Sequence, residues 1–505
     1  MSRPSLKLIY FTGIAVAMTV TLSPRVAYAQ TLTGSLVDIT SIDRPEFYDD
    51  LERAVARANQ SVYNVLLPTC GLPEASCSTA QLAIFEETRE LVETANDILN
   101  NGQSNANSLQ VDDEGLGNAL RWTAAEEVSA KSRAATDFSN GQTTSVNQRV
   151  TALRFGARGF AIAGLPGLPS RDALGIDDDV SLESAGVSET LSKIGGFANA
   201  AYGYGSHDPS TFEDAFDYES IDLTFGVDYR FRPQLVFGIV AGYAENEVDF
   251  DASKSIVDGG ITAEGFSIGA FGLYTQNDVY LSGYLSYQRM FFDIDRFITY
   301  PSLNPNVAGT NTRTEGDTNS DAVTVSGNLG YTYRFGLGKS KPFLLEPSIR
   351  AEYTNISIKA YNEVNVDAGE VFALRIGEQE FESMELSLGL RSSVAVSTPI
   401  GVFFPYARGE WRMEFLDERR DTTSRYLALE NLASSAVPFL LQSERIEKSY
   451  GTIVVGLQTI LRGGRQKELG GPIGDRLSIF GEYHRVFALS SISSELISGG
   501  VRYQF

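Results

Sequence analysis

Beyond its first thirty residues the chain never offers the roughly 18 consecutive apolar residues that a membrane helix needs, yet its C-terminal part alternates apolar and polar residues in segment after segment. Ile221, Leu223, Phe225, Val227, Tyr229 and Phe231 alternate with Ser220, Asp222, Thr224, Gly226, Asp228 and Arg230. The same period of two runs through Val323 to Phe335 and through Met384 to Val396. Successive side chains of a strand point to opposite faces, so each segment carries one greasy side and one polar side. About twelve such segments start near Leu191, Ser220, Leu235, Thr262, Val279, Asp321, Pro342, Glu382, Gly401, Lys448, Leu477 and Ser494, each long enough for a tilted membrane strand of roughly 9–11 residues.

A soluble sandwich also alternates, but its connections have no reason to alternate in length. Here the turns near Arg232-Pro233-Gln234, Gln276-Asn277-Asp278, Leu337-Gly338-Lys339 and Thr398-Pro399-Ile400 are short, and Arg462 to Asp475 is the longest of that set. Between them lie long loops: Ser206 to Glu219, Asp249 to Gly260, Asp293 to Ser320, Tyr361 to Gln379 and Leu416 to Ser443. Short turns on one side and long loops on the other mark an outer-membrane barrel. The polar side of the later strands collects Glu346, Arg350, Glu352, Glu385, Arg391, Arg408, Glu410, Arg412 and Arg502. Each charge would cost about 2–4 kcal/mol facing mid-bilayer lipid, so these residues are expected to line a lumen. An open sheet edge in lipid would leave N–H and C=O groups unpaired, so the sheet must close. The 47 Gly, 23 Tyr and 29 Phe against 2 Trp suit two-faced strands with aromatic girdles.

The beginning of the chain indicates the compartment. Arg3 and Lys7 precede an apolar run from Leu8 to Leu22, and Ala27-Tyr28-Ala29 then supplies a small-x-small site, with cleavage expected between Ala29 and Gln30. Removing Met1 to Ala29 strips three cations and no acid, taking the net charge from −23 to about −26. So acidic a chain repels nucleic acid and suits a surface of anionic lipopolysaccharide bridged by divalent cations. Cys70 and Cys77 are the only thiols, and an oxidising compartment is expected to pair them; metal or redox chemistry is the weaker reading because no His lies near.

From Gln30 to about Thr190 the chain reads helical and loop-like. Ala80 to Leu99 has apolar residues at helical spacing, with Ser78 or Thr79 as N-cap and Gly102 beyond its end. Leu120 to Phe138 and Val146 to Phe155 read as further helices, and Gly164 to Asp179 as a Gly/Pro/Asp linker. No repeat of 20 to 30 residues suggests a β-helical stalk. The expected organisation is a signal peptide over residues 1–29, a mainly α-helical region over 30–190 and an all-β transmembrane barrel of about twelve antiparallel strands over 191–505.

The final residues, Ile497-Ser498-Gly499-Gly500-Val501-Arg502-Tyr503-Gln504-Phe505, resemble the C-terminal assembly signal of outer-membrane barrels, with Val501, Tyr503 and Phe505 on one strand face. Asn147 to Phe160 resembles the segment before the barrel in autotransporters, and Phe216 to Phe250 their second and third strands; the likeness runs from Leu116 to Phe505. The resemblance implies type V secretion, contact with the secretion and barrel-assembly machinery, a monomeric barrel in the bacterial outer membrane of a Gram-negative cell, and a helix threading the pore. Val146 to Phe155 and Ser181 to Ile194 compete for that helix, which a lumen of this size accommodates. Asn100-Asn101 lies outside the segment where the family's intra-barrel cleavage pair would fall.

Chemistry-bearing motifs are few. Gly265-Phe266-Ser267-Ile268-Gly269 matches the hydrolase nucleophile elbow, but that elbow opens a helix, whereas here it sits inside an alternating strand. Of the two histidines, His207 falls in an expected outer loop and His484 shares the lumen face with Glu482. Asp112-Asp113-Glu114 and Asp177-Asp178-Asp179 read as solvated acidic loops rather than Ca²⁺ sites. No catalytic, cofactor or metal site is assigned. The expected function is to anchor and display, or translocate, the N-terminal region at the cell surface, long loops outward; a porin-like channel or a surface adhesin without passenger export are the alternatives.

Overall fold

A computed structural model describes residues 35–41, 47–71, 76–154, 193–336, 342–367, 371–398, 401–416, 421–430, 432, 439–443, 447–461 and 477–504. The proposed signal cleavage site at Ala29 and Gln30, the linker Gly164 to Asp179, the second pore-helix candidate up to residue 192, and Phe505 lie outside these residues.

Among the described residues, twelve long antiparallel strands form one closed wall. They are β1 (Ile194–His207), β2 (Phe216–Arg232), β3 (Leu235–Phe250), β4 (Gly259–Gln276), β5 (Val279–Tyr300) and β6 (Thr310–Tyr331). The second half comprises β7 (Pro342–Ile358), β8 (Gln379–Val394), β9 (Gly401–Glu414), β10 (Ser449–Leu461), β11 (Leu477–Phe487) and β12 (Ile492–Gln504). Each strand pairs with its sequence neighbours, and β1 closes on β12 from Gly195↔Gln504 to His207↔Ile492. Closure satisfies every strand's ladder, the condition for crossing lipid.

Along the lower part of the strands the apolar side faces out. Phe225, Phe237, Ile268, Leu285, Leu329, Leu388, Val455 and Ile497 are all exposed, as a lipid-facing belt requires. Towards the long-loop end the polarity reverses. On β5 the outward Asp293 is exposed and Asp295 half-exposed, while the inward Met290, Phe292, Ile294, Ile298 and Tyr300 are buried. On β3 Glu245, Glu247 and Asp249 face out, and Ala244, Val248 and Phe250 face in. The strands therefore continue past the bilayer into water and enclose an ordinary hydrophobic core. This corrects the expectation of a loop over Asp293 to Ser320: β5 runs to Tyr300 and β6 begins at Thr310. It also moves His207 from a loop to the end of β1, where it is buried and stacked on Phe216 with centroids 4.8 Å apart.

Among the described residues, five helices precede the wall: α1 (Ser35–Thr40), α2 (Asp50–Cys70), α3 (Thr79–Leu99), α4 (Asp113–Trp122) and α5 (Glu127–Arg154). Ser78 caps α3 in a capping box with Gln81, and the helix stops at Asn100, whose φ of 46° is left-handed. Asp49 and Glu52 make the equivalent box on α2, and Cys70 at its end is disulfide-bonded to Cys77, Cα atoms 5.5 Å apart. Asp112 caps α4 through the Gly115 N–H, so this acidic run is a helix start. The two helices expected over Leu120 to Phe138 and Val146 to Phe155 are instead the end of α4 and one unbroken α5.

Helices α1–α4 sit at the long-loop end. Leu36, Tyr48, Phe85, Leu91 and Leu120 share one continuous core with Phe250, Phe292, Ile298, Tyr300, Ile358 and Phe381 of the strand extensions. Polar contacts seal the joint: Tyr300 and Thr310 donate to Glu87 at 2.9 and 3.0 Å, and Asn304 donates to the Ser108 carbonyl at 2.8 Å.

Candidate functional site

The lumen is occupied by α5. Its sequence is polar nearly all round, which suits a helix surrounded by the polar inner faces of strands rather than by lipid or an apolar core. Residues Ser139 to Ser145, including Gly141 and two threonines, are poor helix formers, so the wall must stabilise this stretch. It does so with a ladder of contacts. Ser139 donates to Gln288 of β5 at 2.9 Å and Gln142 to Thr224 of β2 at 3.1 Å. Gln148 donates to Glu482 of β11 at 2.6 Å and Ser498 of β12 at 3.0 Å. Arg149 pairs with Asp228 of β2 at 2.6 Å, and Arg154 pairs with Glu346 of β7. Val146, Val150 and Leu153 form one apolar stripe against Phe197, Val240, Phe271 and Tyr284. A Cβ on Gly242 would lie 2.4 Å from the Gln142 amide, so any larger residue there would force that side chain out of its place.

The helix has a direction. Its first turn lies beside the outer loops, where Glu126 accepts the Asp214 N–H at 2.6 Å, and its last residue reaches Glu346 near the short-turn end. The chain thus passes from the α1–α4 cap down through the barrel.

The charges read as lumenal all lie on inward positions. Arg350 meets Glu410 at 3.2 Å and Glu385 at 3.9 Å, and Arg412 meets the same two at 3.3 and 3.5 Å. Arg408 is 3.6 Å from Glu410, and Arg391 bonds Glu346 at 2.9 Å. Glu352 is buried on the same wall, and Arg502 stacks over Phe480 at 4.0 Å. This network covers β7 to β9, opposite the wall on which α5 leans. Between its lower half and α5 the remaining gap is about 30 Å³, roughly one water's share of liquid. Glu482 accepts from the His484 ring N–H at 2.8 Å inside the lumen. Ser267 of the nucleophile-elbow match is a buried lumen-side residue of β4, not a strand-to-helix turn. Val501 faces out, and Tyr503 pairs with Gly196 and Leu477.

Sequence reading named the wall charges and, within a pore-helix candidate, the stretch carrying Gln148 and Arg149, but it did not single out the contacts of Ser139, Gln142, Gln148 and Arg149 that hold α5. Nothing in their spacing separates them from a solvated helix face; only Gln-Arg on a helix that must enter a barrel could have pointed there.

A family model described as Autotransporter beta-domain matches residues 196–465, more than half of the chain. The chain belongs to the autotransporter β-domain family. The match begins inside β1, so the likeness noted upstream to Leu116 lies outside it. Autotransporter barrels are outer-membrane proteins that display or translocate an N-terminal region, and this chain is one of them. Solved relatives include the translocator domain of autotransporter NalP from Neisseria meningitidis, 15% identical, covering 75% of this chain and 100% of that one at a TM-score of 0.46. The transport unit of autotransporter AIDA-I from Escherichia coli is 14% identical over 64% and 94%, TM-score 0.40. The β-domain of the Bordetella autotransporter BrkA is 16% identical over 62% and 100%, TM-score 0.38. No curated protein matches the chain.

Proposed function

We propose that this autotransporter barrel holds α1–α4 on the outer surface as a permanently attached cap, with α5 as the tether through the pore. One observation carries the reading: the cap and the strand extensions share a single buried core, so release would expose Phe292, Ile298 and Tyr300 to water. Export through a signal peptide and recognition of the C-terminal strand (Val501, Tyr503, Phe505) by the barrel-assembly machinery fit the family. So do lipopolysaccharide around the belt and a monomeric barrel. A structural rather than enzymatic role fits the pairing of Arg350, Arg391, Arg408 and Arg412 with wall carboxylates. An open channel is disfavoured by α5 running through the lumen.

Orientation tests the proposal. Cysteine placed at the exposed cap residue Gln103 should react with a membrane-impermeant maleimide on whole cells, whereas cysteine at Gln234, in a short turn, should react only after permeabilisation. Protection of Gln103→Cys on intact cells overturns the reading.

A further inference from the structure

The lumen is not filled evenly. On the outer half, between α5 and the far wall, lies a cavity of about 520 Å³ that extends to Thr211, Ser443 and Ser490 in the outer loops. That volume lies within the roughly 300–1,000 Å³ of small-molecule sites.

Its wall has an electrostatic surplus of one sign. Asp222 of β2 lines it at 3% exposure, and its Oδ1 has no hydrogen-bond donor among the described residues. A Cβ on Gly141 would lie 3.0 Å from this carboxylate, so at its nearest position the helix presents no side chain to it. Glu352 Oε2 and Thr452 Oγ1, both buried and both on the lining, also lack partners. Carboxylates outnumber guanidiniums around the cavity, and the guanidiniums present are engaged. Arg133 donates to Asp137 at 2.8 Å and to the Tyr218 hydroxyl at 2.7 Å, while Arg412 is held by Glu385 and Glu410. Buried acceptors without donors are costly, and a ligand that brings both positive charge and N–H groups relieves that cost.

We propose that this cavity binds a small aliphatic amine entering from the outer face, with Asp222 as its principal anchor. An amine supplies the donors that Asp222, Glu352 and Thr452 lack, and Ile356, Phe381 and Val486 offer apolar surface for its methylenes. An anion would meet the carboxylates. A bare divalent metal fits poorly, since no group of three or more His, Cys, Asp or Glu among the described residues is arranged to hold one. The assignment goes beyond surface display and does not depend on it.

The probe is spermidine, titrated calorimetrically into the refolded full-length protein in detergent, with L-glutamate and MgCl₂ as comparisons. Saturable binding of spermidine, none of glutamate, and affinity about tenfold weaker in Asp222→Asn are expected. Retained heat-modifiable migration of the variant shows that the barrel still closes. If Asp222→Asn does not fold, Thr452→Val on β10 should weaken binding in the same direction. Absence of saturable binding, unchanged affinity in the folded variants, or equal competition by Mg²⁺ at matched charge overturns the proposal.

Discussion

The joint between cap and barrel contains one guanidinium surrounded by four carboxylates, and this imbalance makes docking sensitive to pH. Arg121 lies 3.9 Å from Asp49, 3.5 Å from Glu52, 3.5 Å from Glu126 and 3.2 Å from Asp214, the last on the loop between β1 and β2. Burial, then the hydrogen bond with Asp49, pushes Glu52 up to about 8, with Arg121 opposing. Burial and the nearby Asp214 hold Glu126 well above the carboxylate range. These folded values exceed the unfolded value of 4.5. The docked state therefore keeps a proton that the separated state releases. Its contribution is full below about pH 4.5 and is lost as pH rises to about 8. At 1.36 kcal/mol per unit, Glu52 alone has a ceiling near 5 kcal/mol, of which roughly 3 kcal/mol falls between pH 6 and 8.5. Trp122 at the end of α4 packs against the shared core and reports docking by fluorescence once Trp411 is replaced by Phe. The urea midpoint of the Trp122 signal should fall from pH 6 to pH 8.5 in the parent, less steeply in Glu52→Gln, and least in Glu52→Gln with Glu126→Gln. A midpoint that stays level or rises in the parent, or a full slope in Glu52→Gln, refutes the reasoning.

Other perturbations follow from the lumen and the belt. Asp228→Ala strands Arg149 in the lumen, a loss of about 3–5 kcal/mol to helix docking, and planar bilayers should show current bursts absent from the parent. Gly242→Val drives a side chain into Gln142 and should destabilise α5 by roughly 1–3 kcal/mol, read as earlier proteolysis within α5. Leu285→Arg puts a charge on the lipid face at a cost of about 2–4 kcal/mol, whereas inward Ser282→Arg should be tolerated better; denaturant refolding into vesicles separates the two.

The alternation of Ile221 to Phe231 and its counterparts was enough to place all twelve strands, because lipid outside and a wet lumen within impose opposite demands on neighbouring residues. The strand extensions were illegible for the same reason. Beyond the bilayer Phe292 and Ile298 still alternate with Asp293 and Thr299, but which side is apolar has switched, and a loop and a water-exposed strand then look alike. The continuity of α5 was hidden because Ser139 to Ser145 is helical only by virtue of the wall around it. Helix α2 was signposted by Asp49 and Glu52, three apart, a box that is weak evidence without the helix behind it. The wall charges could be read from polarity alone; their partners, and Asp222 without one, depended on three-dimensional register.

Because the cap's interior is completed by side chains that belong to β3, β5, β7 and β8, neither half can finish its own hydrophobic packing. The leading segment of the chain can complete its packing only once the cylinder behind it has assembled. Maturation is thus timed by construction: the outermost part of the protein is the last to become solid.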